Sequence, residues 1–134
     1  MHVTIEDGGR RLAVIAESLY LINLLILPAI GFGVLFWIYL KHYQAAPPLA
    51  RCHLAQTVRA TMWAALLLIW VTILLLAVGN WESPVTWMVA LMHFIIVHTS
   101  LVLLGVVGLS RALSGQSFRY PLVGVPCLSD AERS

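Results

Sequence analysis

Three long apolar blocks, separated by short polar segments, constrain this chain more than any other feature. They occupy residues 12–40, 61–79 and 85–109. About 20 helical residues cross a bilayer core of about 30 Å, and a backbone in hydrocarbon must satisfy its own polar groups. The blocks show no alternation of apolar and polar residues, so they are not open strands. We therefore predict an all-α, polytopic membrane protein.

The composition supports this class. Of 134 residues, 60% are apolar and 10% charged, whereas a soluble domain carries about 25% charged residues. Such a chain is not a soluble globular enzyme, a disordered tail or a nucleic-acid-binding module. We expect one membrane domain over residues 1–134. Its predicted partners are the lipid bilayer and other membrane protein subunits or further copies of itself.

The first block allows two arrangements. As one helix it would be about 43 Å long at about 1.5 Å per residue, which exceeds the bilayer core. We favour a single tilted helix kinked at Pro28, where the ring removes a hydrogen bond. Gly31 and Gly33 leave a re-entrant hairpin open as the alternative. The favoured arrangement has three transmembrane helices, at about 18–40, 61–79 and 85–109, and a tail over 110–134.

Basic residues orient such a chain, because they concentrate on the cytoplasmic side. With three spans, six of the eight basic residues fall inside and the N-terminus lies outside. With a hairpin in the first block, all eight fall inside. Either way, loop 41–59 and the C-terminus are predicted to be cytoplasmic, in a bacterial inner membrane. The eight residues are Arg10, Arg11, Lys41, Arg51, Arg59, Arg111, Arg119 and Arg133.

Two cysteines, Cys52 and Cys127, lie in polar stretches beside apolar blocks. They lack the CxxC spacing of a redox or metal motif and the dense pattern of a disulfide scaffold. Because disulfides are rare in the cytoplasm, we expect two reduced thiols, although the sequence also permits a pairing between them.

A polar stripe runs along the third apolar block. Thr86, His93 and Ser100 recur every seven residues and share one helix face, which should turn away from lipid. His93 is expected to bond a backbone carbonyl or a neighbouring helix. Its alternatives are a haem or metal ligand or a proton relay.

Sequence signatures of enzymes are missing. The chain has no GxSxG, HExxH, P-loop or GxGxxG pattern. Acidic residues are nearly absent from the apolar blocks, and only Glu17 comes close, near an interface. We therefore predict no catalytic residues, no cofactor and no metal site.

Two stretches resemble a bacterial family of small membrane proteins of unknown function, which is related to the Tic-twenty component of chloroplast protein import. One combines residues 27–41 with the His-Leu-Ala-Gln sequence at 53–56, and the other is residues 111–122. Its most specific part is Gly115 followed by Arg-Tyr-Pro-Leu at 119–122. The resemblance implies a helical membrane protein, often read as four-helical, and it carries no catalytic residues.

The motif residues can be given a physical role. His53 and Gln56, at the mouth of the second helix, could bond the segment 118–122, which Pro121 would hold extended. This would anchor the helix ends or form a docking patch for a partner. The residues concerned are His53, Gln56, Gly115, Arg119, Tyr120 and Pro121.

The function predicted from these features is that of a non-catalytic accessory or structural subunit packed against a larger membrane protein complex. The minimal extramembrane mass and the missing catalytic motifs favour it. One alternative is a translocation or channel component of the Tic-twenty-like type, lined by the polar stripe. A second alternative is a haem- or copper-binding redox subunit.

Overall fold

The computed structural model describes residues 2–124 and 126–127, with side chains from residue 7 onward. These residues form four helices and no strand, which confirms the all-α prediction. A π-helical turn, Leu66–Trp70, interrupts the third helix. The helices are α1 (His2–Leu25), α2 (Ile30–His42), α3 (Pro48–Val78) and α4 (Pro84–Leu113).

Among the described residues, two helices rather than three are long and apolar enough to cross a membrane. They are α3 and α4. α3 covers the predicted span 61–79 as far as Val78, and α4 contains the predicted span 85–109. The favoured single helix over 18–40 is wrong, because the chain turns between Leu25 and Ile30. The alternative arrangement, a helical hairpin, describes the first apolar block.

The turn forms because its polar groups find local partners. Pro28 carries no N–H to satisfy, and Ala29 adopts a positive φ of 73° that reverses the chain. The Asn23 side chain reaches across the turn, and its Oδ1 accepts hydrogen bonds from the backbone N–H groups of Ala29 (3.1 Å) and Phe32 (3.0 Å). Gly31 packs against Asn23 so closely that a Cβ there would lie 2.9 Å from the Asn23 backbone. A residue with a side chain would push α1 and α2 apart.

The hairpin covers only part of α4. The carbonyl oxygen of Leu24, near the tip of the hairpin, contacts His98 of α4. His98 lies about 22 Å along α4 from the end of the helix at Leu113, at about 1.5 Å per residue. The hairpin tip is therefore level with about residue 95, and α4 continues about 15 Å beyond it by the same rise. In that outer part, α3 and α4 have only each other as helical neighbours among the described elements.

All described basic residues lie towards one end of the bundle, which we call the basic end. Gly9 abuts Pro47, with an ideal Gly9 Cβ 3.1 Å from the proline Cβ, so Arg10 and Arg11 lie beside the α2–α3 loop. The N-terminal arginines thus share an end with Lys41. This corrects the three-span arrangement, in which they lay at the opposite end. Arg133 is outside the described residues.

The core is centred on α1, which contacts all three other helices. Ala16, Leu35 and Leu54 form its apolar part. On α4, Gly105 and Gly108 face α1 and are buried, which allows the two backbones to approach closely. Conversely, large apolar side chains such as those of Trp70 (65%) and Val78 (81%) are exposed. A bilayer, rather than water, suits such a surface.

Candidate functional site: a buried polar cluster at the basic end

A carboxylate and an imidazole meet inside the basic end. Glu17 on α1 and His53 on α3 are both 0% exposed, and Glu17 Oε1 lies 2.6 Å from His53 Nδ1. The two residues are 36 positions apart, so the packing of α1 on α3 brings them together. Charged side chains this deep need a partner, because an unpaired buried charge costs several kcal/mol.

Tyr120 completes the cluster from the segment after α4. Its hydroxyl donates to Glu17 Oε2 at 2.6 Å, and its ring packs edge-on against Tyr20 with the centroids 5.7 Å apart. Gly108 leaves the space for this contact, since a Cβ there would lie 2.5 Å from Glu17 Oε2. Burial raises the pKa of Tyr120 above its ordinary value, and the Glu17 carboxylate raises it further. Tyr120 is therefore a neutral donor at any physiological pH.

The hydrogen-bond directions fix the net charge of the cluster, which comprises Glu17, His53 and Tyr120. His53 Nε2 lies 3.0 Å from the carbonyl oxygen of Gln116, which can only accept, so Nε2 carries a proton. The short contact between His53 Nδ1 and Glu17 Oε1 holds one further proton. Whether that proton sits on nitrogen or oxygen, the cluster as a whole is neutral. This neutrality explains how an acidic side chain is accommodated inside an apolar bundle.

Neighbouring polar groups tie the chain beyond α4 to α3. The Gln56 amide nitrogen lies 3.5 Å from Cys127 Sγ, and Gly124 packs so closely that a Cβ there would lie 2.7 Å from Gln56 Oε1. Gly115 begins this segment with a positive φ of 68°, which favours glycine at a helix end. Pro121 accepts a hydrogen bond from the Val123 N–H.

The six residues that the sequence predicted for this region divide into a buried set and an exposed set. His53, Gln56 and Tyr120 are buried together, while Arg119, Pro121 and Gly115 are exposed at the surface. A docking role for the exposed set stays a prediction.

Cys52 and Cys127 form a disulfide with their Cα atoms 5.4 Å apart. The expectation of two reduced thiols is therefore wrong, and the permitted pairing is the one observed. The bond joins α3 to the segment after α4 and lies beside the polar cluster. The sequence could not place it, because 75 residues separate the two cysteines.

The predicted polar stripe lies along α4, and its three side chains have different surroundings. His93 donates from Nε2 to the Leu67 carbonyl oxygen at 2.9 Å, inside the π-helical turn. Thr86 is half-buried near Gly79, the residue after α3. Ser100 is exposed and bonds its own helix at Ile96. Each side chain thus satisfies a separate local requirement.

Sequence reasoning missed Glu17 as a buried partner, Asn23 as a turn cap and His98 as a cap for α1. His98 Nε2 lies 3.2 Å from the Leu24 carbonyl oxygen. The sequence feature that could have identified all three is the same: each is one strongly polar residue inside an otherwise apolar run. Such a residue needs an internal partner.

The arrangement offers limited chemistry of its own. Glu17 and His53 are a general acid–base combination, but both are fully enclosed. Among the described residues, no three His, Cys, Asp or Glu side chains converge to hold a metal ion. The visible consequence of the cluster is to fix α1, α3 and the segment after α4 to one another.

Comparisons with known proteins found no matching family, no similar curated protein and no similar solved structure. The resemblance to the Tic-twenty-related family therefore stays a prediction.

Proposed function

We propose that this protein is a non-catalytic integral membrane subunit that packs against a partner membrane protein or further copies of itself. In this proposal α3 and α4 cross a bacterial inner membrane, α1 and α2 enter it as a re-entrant hairpin, and the basic end faces the cytoplasm. The distribution of arginine and lysine supports that orientation.

One observation carries the proposal. The hairpin stops partway along α4, which leaves the outer parts of α3 and α4 without a helical neighbour among the described elements. A groove of about 460 Å³ lies between them, lined by apolar side chains that include Leu74, Val78 and Val89. Meanwhile the groups suited to chemistry are enclosed and bonded to one another. A partner helix is the element that fits such a groove.

Purification of a tagged chain at its native expression level, in mild detergent, tests this proposal. We expect the protein to elute with a stoichiometric membrane partner or as an oligomer. Leu74→Trp should fill the groove and reduce that recovery several-fold, while Leu103→Trp, on an exposed face of α4 outside the groove, should not. Recovery of the wild type as a lone monomer would contradict the proposal.

A second candidate, a translocation or channel component, is favoured by a separate feature. The hairpin tip and the π-helical turn lie at similar depth, because His98 contacts Leu24 and His93 contacts Leu67. Broken helices at mid-membrane depth are typical of transport sites. Asn23 adds a third polar side chain to this layer.

Flux through vesicles separates the two candidates. A channel lined by this layer should lose or change its ion flux in His93→Leu. A Ser114→Ala variant serves as the control, because its exposed hydroxyl lies outside the stripe and bonds the Ser110 carbonyl oxygen at the end of α4. If the wild-type protein shows no flux but still co-purifies with its partner, the channel function is wrong and the accessory function is supported.

A further inference from the structure

A second groove, of about 400 Å³, opens at the basic end between α2, α3 and the segment after α4. Its lining includes the cationic Arg51 and Arg59, the aromatic Tyr39 and Tyr43, and the apolar Val58 and Met62. The groove therefore combines cationic and aromatic groups with an apolar extension. It shares no residue with the Glu17–His53–Tyr120 cluster.

Arg51 is held in place at this groove. Its Nε and Nη2 donate to the carbonyl oxygens of Tyr43 (3.2 Å) and Gln44 (2.8 Å), and its guanidinium lies 5.6 Å from the centroid of the Tyr43 ring. Nη1 makes no hydrogen bond within the part of the chain that the structure describes. The guanidinium is thus fixed with one edge available to a ligand.

Arg59 lies deeper, about 12 Å further along α3 at about 1.5 Å per residue. No described residue pairs with its guanidinium or accepts a hydrogen bond from it. Met62 follows one turn deeper and is 60% exposed. A cation at this depth, next to an apolar surface, is costly unless it reaches a headgroup or an anion.

We propose that this groove binds one anionic phospholipid. Its phosphate would sit between Arg51 and Arg59, because guanidinium groups bind phosphate oxygens in a bidentate manner. Its acyl chain would lie along Val58 and Met62. Along α3, Arg51 comes first, Val58 and Arg59 lie about two turns further on, and Met62 lies beyond them. The lining thus begins with a cation and ends with an apolar side chain, which is the order of headgroup and chain in a phospholipid.

The disulfide forms part of the wall of the same groove. Pro126 and Cys127 line it, and Cys127 is joined to Cys52 of α3. Breaking the bond removes the covalent tether of that wall. Lipid binding should therefore weaken in Cys127→Ser, which makes this variant a second, charge-independent test.

Native mass spectrometry of the full chain, released from detergent with defined lipids, measures the binding. The probes are phosphatidylglycerol and phosphatidylcholine with identical acyl chains. We expect a single retained phosphatidylglycerol, favoured several-fold over phosphatidylcholine. Since one basic residue near the surface is worth about 1 kcal/mol, Arg59→Gln should reduce the retained fraction about five-fold.

Arg119→Gln is the matched control, because it removes the same charge from an exposed position outside the groove. It should change retention less than two-fold, and the intact Cys52–Cys127 bond reports that each charge variant is folded. Equal retention of both lipids by the wild type, or an equal loss in both variants, would overturn the proposal. Displacement of the lipid by inorganic phosphate would instead assign the groove to free phosphate.

The lipid site rests on the proposed bilayer embedding and does not require a partner protein. An alkaline wash of membranes separates the two failures. If the chain is washed off, the embedding itself is wrong. If it stays and shows no preference for phosphatidylglycerol, only the lipid site is wrong.

Discussion

Single polar residues inside apolar runs determine much of this structure. Glu17, Asn23 and His98 each stand in an apolar stretch, and each bonds a group brought to it by the fold. Sequence alone shows that such residues need partners. It could not show that Glu17 meets His53 and Tyr120, which are 36 and 103 positions away. The pairing depends on helix packing, which no local pattern encodes.

The neutrality of the buried cluster predicts how it responds to substitution. Glu17→Ala leaves His53 without its partner and should lower the free energy of unfolding in detergent by about 3–5 kcal/mol. The Glu17→Ala/His53→Ala double variant should cost clearly less than the sum of the two single changes. Exposed Glu82 supplies the control, since Glu82→Ala should stay within about 0.5 kcal/mol. Additive effects of the two cluster variants would argue against the pair.

Tyr120 predicts the response to alkaline pH. The pKa of Tyr120 is raised above its ordinary value of 10.0, so the unfolded chain releases this proton at a lower pH than the folded one. The contribution of protonated Tyr120 to the free energy of unfolding is therefore complete below about pH 10. Above that pH it decreases by up to about 1.4 kcal/mol per pH unit.

Unfolding measurements between pH 9 and 11 test this response. Tyr120→Phe should be less stable at pH 8, because its hydrogen bond to Glu17 is gone, yet it should lose less stability on alkalinisation. An unchanged slope in Tyr120→Phe would assign the alkaline loss to other groups.

Among the helices, the sequence predicted those of the second and third apolar blocks correctly, but it did not predict the course of the chain in the first block. The second and third blocks are long and uncharged, and both lie in single continuous elements apart from one π-helical turn. The first block failed because its length permitted either a kinked helix or a hairpin. Asn23 decided between them, since its side chain bonds the N–H groups that a turn at Pro28 exposes.

We expect the cost of removing an asparagine cap to depend on how deeply the capped turn is enclosed. Asn23→Leu leaves the N–H groups of Ala29 and Phe32 without partners beside exposed apolar side chains, which should lower the free energy of unfolding by about 2 kcal/mol or more. Asn80 caps the α3–α4 turn in the same manner, through the Glu82 N–H, but is exposed. Asn80→Leu should therefore cost less than about 1 kcal/mol, because water replaces the bond. Equal costs would mean that the hairpin tip is hydrated.

For the chain as a whole, two general rules predict opposite orientations across the membrane. Basic residues gather at one end of the bundle, which is typical of the cytoplasmic side. The Cys52–Cys127 disulfide lies at that same end, and disulfides are typical of oxidising compartments. Our proposal follows the basic residues, because the seven that the structure describes agree, whereas a cytoplasmic disulfide can form as a reversible redox pair.

Lys41 allows the orientation to be measured, since it is the only lysine in the sequence. A membrane-impermeant amine reagent should leave Lys41 unmodified in intact bacterial cells and modify it in inverted vesicles, as read by peptide mass. The Lys41→Arg/Asn80→Lys variant moves the single lysine to the opposite turn and should reverse both results. Labelling of wild-type Lys41 in intact cells would place the basic end outside. The disulfide would then be a stable structural bond, and the charge distribution would have to be explained by lipid or partner binding rather than by membrane insertion.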